Sequence, residues 1–431
     1  MTSPQVAGEK SVASPAATRY RIVIAVILFI TLMVSYLDRT NVSILSADPK
    51  FQQEMGVVGQ ASQLGLLLTV FLLAYGVGNI ITAPLGNLLG ARKAMALAIV
   101  VWMVSVILGG MAGSFLLILA TRVVLGLGEG LHWPMQSLFV TNWFPLRERG
   151  KANSAWLVGL MVGPMLGNPL ITWIIGGQGW RASFWWLAAF SLIPLSLVWF
   201  FTRDTPEESP HANEAEVRYI RDNSGTKTTQ IEGEHAGGRW HFLTDWRYWL
   251  IVLAFTASAS MFWGTVAWLP SYLKVARGFT WAQMGLLSSL PYLLGAITVL
   301  VFGAIADRYA KKGIFPTIAL TGAAVSIFSA ANVSDNMSSA LLMSLALAFI
   351  GVGLSCYWTM MQGLVQRSSV GQAAGVMNGV SQFASAFIPT IMGAIVGTAT
   401  AAGNWYGALV TLAGVGLVGA ILMLILTVKR V

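Results

Sequence analysis

The sequence predicts an all-α membrane protein of twelve transmembrane helices, arranged as two pseudo-symmetric halves of six. Three observations carry that reading. Of the 431 residues, 56% are hydrophobic and only 10% are charged, a balance that excludes an ordinary soluble domain. Twelve apolar runs of about twenty residues or more follow one another, each bounded by short charged or Pro/Gly punctuation. A single long polar stretch, 203–247, divides them six and six, the layout of an internally duplicated carrier with its site near the bilayer midplane between the halves.

Taken in order, residues 1–21 form an N-terminal cytosolic tail. Its first eighteen positions are polar and Ser/Ala-rich, without the short apolar core and small-residue cleavage site of a signal peptide. The N-terminal half, 22–202, holds spans near 22–45, 63–89, 94–113, 115–140, 153–175 and 182–202. The cytosolic linker 203–247 opens with Asp204-Thr205-Pro206-Glu207-Glu208 and continues as a mixed-charge, Gly/Ser/Thr-rich passage. The C-terminal half, 248–431, holds spans near 248–274, 280–306, 314–332, 338–364, 372–398 and 404–428. The 45 glycines suit a polytopic bundle, because small residues let helix backbones approach where lipid supplies no hydrophobic drive.

The net charge of +9 is topological and does not signal nucleic acid. With both termini in the cytosol, the basic residues of the tail, of the turns at 92–93, 147–151, 308–312 and 367, of the linker and of the C-terminus all lie inside. Only Lys50, Arg181, Lys274 and Arg277 lie outside, so the positive-inside rule fixes the orientation in a cell inner membrane. The single cysteine, Cys356, allows no disulfide framework.

Against this apolar background, Ser35-Tyr36-Leu37-Asp38-Arg39-Thr40-Asn41 sets an acid beside a base inside the first span. Each such charge costs at least about 3 kcal/mol on insertion scales, which makes it a functional feature by default. The fourth span holds Arg122 and Glu129, seven residues apart and therefore on one helix face, about 10 Å apart along the axis. These two acids and two arginines are the expected polar centre for an anion and a proton. Burial favours the neutral acids while the arginines favour the carboxylates, so Asp38 and Glu129 can change protonation as solvent access alternates. The plain alternative is that each pair pins helices together, but an apolar pair would do so without desolvation cost. Arginine keeps its charge and offers a planar fork that suits a carboxylate. A substrate carboxylate can then replace an internal acid once that acid is protonated. Arg122 is the favoured anchor, with Arg39 either the anchor or the counter-ion of Glu129.

Two short turns point to a family. After span eight comes Gly303-Ala304-Ile305-Ala306-Asp307-Arg308-Tyr309-Ala310-Lys311-Lys312, and after span two Leu85-Gly86-Asn87-Leu88-Leu89-Gly90-Ala91-Arg92-Lys93. They resemble the two copies of the loop signature of the major facilitator superfamily. Asp307 and Arg308 match the second copy. The first has Asn87 where an acid is usual, ahead of Arg92, and that departure bears on the latch which the loop acid forms in the outward-open state of the superfamily. Tyr36-x-Asp38-Arg39, Arg122 with Glu129, and Asn142-Trp143-Phe144-Pro145-x-Arg147-Glu148-Arg149-Gly150 together resemble the anion:cation symporter family, whose members include bacterial permeases for glucarate, galactarate, galactonate and hexuronates. The resemblance implies a facilitator fold, import of a small organic anion with protons, and proton-coupling roles for Asp38 and Glu129. It also implies a monomer without cofactor.

Around the charges, Tyr36 and Ser43 share the Arg39 face, Tyr75 and Asn79 are four apart in span two, and His132 and Gln136 follow Glu129 along span four. Such residues are more often packed or bonded between helices than bound to a ligand; Tyr75 is the exception, since the resembling family uses a tyrosine there as a substrate contact. The second half has no buried charge and supplies neutral candidates: Trp263, Tyr357, Trp358, Gln362, Asn378 and Gln382. Trp268 and Trp281 read as interfacial belt residues. In span five, Gly159, Gly163-Pro164 and Gly167-Asn168-Pro169 permit tight packing and faintly resemble an antiporter motif of the wider superfamily. Leu160 stands near a position where sugar-acid permeases often carry glutamine, which points to a less hydroxylated substrate. An antiporter or exporter of the same fold is the nearest rival. A sensor built on the linker is a second, but that loop is too short and polar for a domain. An enzyme would need a metal cluster or a nucleophile with its base, and scattered His with one Cys offer neither. No Gly-x-x-x-x-Gly-Lys-Ser/Thr loop is present, so the energy source is a gradient.

Overall fold

The computed structural model describes residues 17–82, 85–145, 148, 152, 155–223, 240–306, 312–365, 370–397 and 403–428. Among the described residues, twelve helical segments are long and apolar enough to cross a membrane. The first six run through α1 (Tyr20–Leu45), a short α2 (Pro49–Glu54), α3 (Ala61–Thr82), α4 (Leu85–Leu89), α5 (Ala91–Gly110), α6 (Phe115–Trp143), α7 (Gly159–Gln178) and α8 (Trp180–Phe201). A short α9 (Glu214–Asp222) follows. Then come α10 (Trp246–Ser271), α11 (Trp281–Leu287), α12 (Leu290–Ala306), α13 (Ile314–Asn332), α14 (Asn336–Leu364), α15 (Val370–Ser385), α16 (Ile388–Val396) and α17 (Trp405–Val428). The run expected as one span over 63–89 is two helices, α3 and α4, with 83–84 outside the described residues. Spans eight and eleven are likewise broken, at Ser288–Ser289 and at Ala386–Phe387.

Helix starts follow local chemistry: Ser114, Asn213, Asp245, Thr280 and Asp335 each accept a backbone N–H of the first turn that has no partner within the helix. Helix α1 uses a tertiary cap instead. Glu216 of α9, fully buried, accepts from the N–H groups of Tyr20 (2.9 Å) and Arg21 (3.2 Å), from the Thr18 hydroxyl (2.6 Å) and from the Arg21 guanidinium (3.0 Å). Arg21 also pairs with Glu148 beyond α6 at 2.8 Å. Nearby, Asp204 accepts the backbone N–H of Arg92 at 2.7 Å, fastening the start of α5 to the end of α8.

Packing is densest where small residues allow it. Added Cβ atoms at Gly159 and Gly163 would overlap backbone of α1, and one at Gly167 would strike Leu37, so the small-residue run of span five is the seam by which α7 lies on α1. Before the 203–247 stretch, α6 packs on α3 and α5, and α8 on α5; after it, α13 packs on α14 and α17, and α10 on α15 and α17. Contacts between these two groups are led by α3 with α16, α7 with α11 and α12, and α1 with α10.

Most of the named bridging contacts lie toward the face opposite the one where α1 begins and α17 ends. Cβ atoms at Gly65 or Gly393 would overlap the carbonyls of Pro389 and Ala61, and Thr69 and Thr390 share a hydrogen bond of 2.9 Å. Asn168 of α7 donates to the Ser288 carbonyl at the break after α11 (2.7 Å), where the chain has left regular helix. Trp268 corrects an expectation. It is buried and donates its indole N–H to the Pro389 carbonyl at 2.9 Å, holding the second broken span rather than lying in an interfacial belt. Trp281 is partly exposed at the start of α11, with Lys274 over its ring at 5.7 Å.

Candidate functional site

The polar centre is assembled by three helices of the first group and met by one of the second. From α1, Arg39 donates to Glu129 of α6 at 2.7 Å, and among the described residues this is the only ion pair within the membrane-spanning helices. Both side chains are buried. Rings enclose the guanidinium: Tyr36 at 3.9 Å, Phe71 and Tyr75 of α3 each at 5.1 Å, and Trp263 of α10 at 5.7 Å. Such faces attract a cation through the ring quadrupole without neutralising it, so the charge stays available to an anion. Trp263 in turn donates its indole N–H to Gln382 Oε1 of α15 at 3.1 Å.

The second acid and base sit differently. Arg122 is 1% exposed, and its Nε and one terminal nitrogen have no hydrogen-bond partner. Its guanidinium lies 5.7 Å from the Phe184 ring of α8. Arg122 and Arg39 line one narrow space together with Val42, Leu67, Leu68, Phe71 and Leu125. Asp38 is also buried and interacts with Arg122 through space without a direct ion pair, leaving Oδ1 unpartnered. The Oε1 atom of Glu129 is unpartnered too. Adjacent residues on α1 therefore serve two different arrangements, because successive side chains point about 100° apart around the helix.

Other expected residues divide between this junction and the helix seams. Gln136 donates to the Leu28 carbonyl (3.0 Å) and the Thr31 hydroxyl (2.8 Å) of α1, and lies 3.2 Å from the His132 ring nitrogen. The His132 ring packs edge-on against Trp102 of α5 at 5.5 Å, so both residues work between helices. Asn79 donates to the Tyr75 carbonyl at 2.9 Å, and the Ser43 hydroxyl to that of Arg39 at 3.2 Å, each within its own helix. In the second group, Tyr357 is buried and Trp358 half-buried, both against Phe255; Asn378 and Gln382 are half-buried on α15. Arg92 is tied to the end of α8, donating to the Trp199 carbonyl at 2.6 Å. The side chains of Asn87 and Gln362, and residues Asp307 and Arg308, lie outside what the structure describes.

One residue that sequence reasoning passed over is Tyr292 of α12. It is buried, and its phenol interacts electrostatically with that of Tyr36 across the two helix groups. The only signal in the sequence is a tyrosine within the apolar run Leu290–Leu300.

Comparison with known proteins places this architecture. The family model described as Major Facilitator Superfamily matches residues 28–389. The "Probable sulfoacetate transporter SauU" of Cupriavidus necator is 29% identical over 84% of this chain and 84% of its own length. A D-galactonate transporter of Escherichia coli O6:H1 is 28% identical over 97% of this chain and 98% of its own. Among solved structures, a bacterial homologue of the human lysosomal transporter Spinster, in an inward-facing and unoccupied conformation, superposes with a TM-score of 0.78 at 16% identity, covering 96% of this chain and 99% of that one. This multi-pass membrane protein belongs to the Major Facilitator Superfamily.

Proposed function

We propose that the protein imports a small organic anion together with protons by alternating access. The observation that carries the reading is the Arg39–Glu129 pair, buried at the junction of α1, α3, α6 and α10 and ringed by aromatic faces. While Glu129 is ionised it occupies Arg39. Once Glu129 is protonated, the arginine is free for a substrate carboxylate, and the substrate takes over the charge that the acid gave up. Binding is thereby linked to proton uptake. The relatives named for D-galactonate and sulfoacetate, both organic anions, favour the same class of cargo.

Geometry favours Arg39 over Arg122 as the anchor. Arg39 lies 5.7 Å from the Trp263 ring of the second helix group, whereas Arg122, which lines the same narrow space, lies 5.7 Å from the Phe184 ring of the first. In this reading Arg122 holds Asp38 as a second protonation site, and substitution of Arg122 by alanine impairs coupling more than binding. The distribution of basic residues supports an orientation in a cell inner membrane with both termini in the cytosol. The two six-helix halves then rock about the centre, and the close contacts of α3 with α16 and of α7 with α11 shut the outer side.

The direct test uses purified protein in liposomes loaded with a pH-sensitive dye and challenged with a panel of sugar acids and simple carboxylates. Substrate-dependent acidification supports symport. Saturable uptake of an acid with no accompanying proton entry would remove the coupling role of Glu129 and Asp38.

A further inference from the structure

We infer that Trp263 is a positioning residue that locks the Gln382 amide with its NH₂ toward the cargo, so that the site prefers acids with a hydrogen-bond acceptor on the body over unsubstituted acids of equal charge. The inference rests on the reading of the centre as an anion site and concerns how the rest of the anion is recognised.

Trp263 makes two contacts at once. Its ring lies 5.7 Å from the Arg39 guanidinium, and its indole N–H donates to Gln382 Oε1 at 3.1 Å. The Gln382 amide is therefore one indole away from the charge that takes the carboxylate. Packing holds both partners of this bond. Trp263 is buried, and its neighbour Gly264 is pressed against α16 and α17, where a Cβ would overlap Met392, Ile388 and Leu412. On α15, Ser381 shares a hydrogen bond of 3.0 Å with Thr256, which lies two turns before Trp263 on the same face of α10.

A free glutamine amide can present either end, because a flip exchanges its oxygen for its nitrogen. Trp263 removes that freedom. An indole nitrogen donates and cannot accept, so the Gln382 atom that meets it is the carbonyl oxygen, and a flip would set NH₂ against N–H. Gln382 is half-buried, and its NH₂ has no partner among the described residues. The end left for a ligand is a donor only. A hydroxyl or carbonyl oxygen on the cargo accepts from it, whereas a methylene in the same place leaves the donor unpaired when the cavity closes and water leaves. This selection is independent of how the carboxylate is shared between Arg39 and Arg122, because it acts on another part of the cargo.

The experiment measures apparent affinity by ligand-induced thermal stabilisation of the purified full-length protein. The probes are butanoate, pentanoate and hexanoate with their hydroxy and oxo derivatives, galactonate among them. At least one hydroxy or oxo acid is expected to bind about tenfold or more tightly than its unsubstituted parent. Gln382→Leu is expected to erase that ratio and leave the parent acid unchanged. Trp263→Phe keeps a ring beside Arg39 but frees the amide to flip. An oxo group only accepts, whereas a hydroxyl also donates to a flipped carbonyl, so in this variant the oxo acids should lose about threefold or more of their advantage and the hydroxy acids less. Equal binding of substituted and unsubstituted acids, or a ratio that Gln382→Leu does not move in folded protein, would overturn the inference while leaving the anion reading intact. If Trp263→Phe weakens all acids by the same factor, Trp263 is a packing residue and its positioning role falls. Absence of stabilisation by every acid in folded wild-type protein would overturn the anion reading and this inference with it.

Discussion

Replacing Glu129 by glutamine isolates the central step. The side chain keeps its shape and an oxygen that can still accept from Arg39, but it loses the charge. In the present pair the donor and acceptor are 2.7 Å apart and both groups are buried. Unit charges centred about 4 Å apart attract by about 4 kcal/mol at an effective dielectric of about 20. At about 1.4 kcal/mol per tenfold, that sets a ceiling of about a thousandfold on how strongly Glu129 competes with a substrate carboxylate for Arg39. The retained hydrogen bond takes back part of it, so Glu129→Gln is expected to bind the substrate about ten- to hundredfold more tightly than wild type at pH 8. Wild-type affinity rises as pH falls, because protonation removes the competing carboxylate, and the variant loses that dependence. Two transport assays separate the roles. Counterflow, which exchanges labelled for unlabelled substrate, continues in the variant, whereas uphill uptake driven by an inward proton gradient is lost. Uphill uptake at wild-type level, or a pH profile unchanged by the substitution, would refute Glu129 as the coupling acid.

Other substitutions test the surroundings. Arg39→Lys keeps the charge but loses the planar fork, and substrate-induced thermal stabilisation should fall at least tenfold in apparent affinity, by about 1.5–3 kcal/mol for a charged hydrogen bond. Asn168→Ala removes the hydrogen bond to the Ser288 carbonyl; at about 1 kcal/mol it should shift the equilibrium about fivefold toward the outward-open form, read as faster maleimide labelling of a cysteine placed at Ser46 from the outer side. Unchanged labelling would mean that this bond is not part of the outer closure. Glu216→Ala strips the cap from α1 and one partner from Arg21 and should destabilise the protein by about 2–4 kcal/mol in thermal unfolding, while Glu216→Gln recovers only part of the loss, because one of the two accepting oxygens becomes an NH₂ that faces donors and the charge toward Arg21 is gone.

Much of this molecule is legible in its sequence, and for one physical reason: lipid is an unforgiving solvent. A segment in it must be apolar for about twenty residues and must satisfy its own backbone, so the twelve spans can be read directly and only their breaks are missed. The same solvent makes a charge costly enough to notice, which is why Asp38, Arg39, Arg122 and Glu129 stand out from the chain alone. The glycine run of span five is legible as a packing seam too, though not the helix it packs on, which is α1.

Partnership is what the tertiary structure decides. Asp38 and Arg39 are neighbours in the chain, yet Arg39 pairs with Glu129, 90 residues away, while Asp38 faces Arg122. That choice depends on the rotation of α1 against α6, fixed by seams such as Gln136 against Leu28 and Thr31. The contact of Arg39 with Trp263 and the meeting of Arg39 and Arg122 at one narrow space follow from the same packing, as do the burial of Trp268 and the approach of Tyr292 to Tyr36. Sequence by itself determined which residues are costly in a bilayer and therefore matter. Only packing among helices far apart in the chain decided which of those charges meet, because a side chain's partner is set by the rotation and register of two helices and not by its own identity.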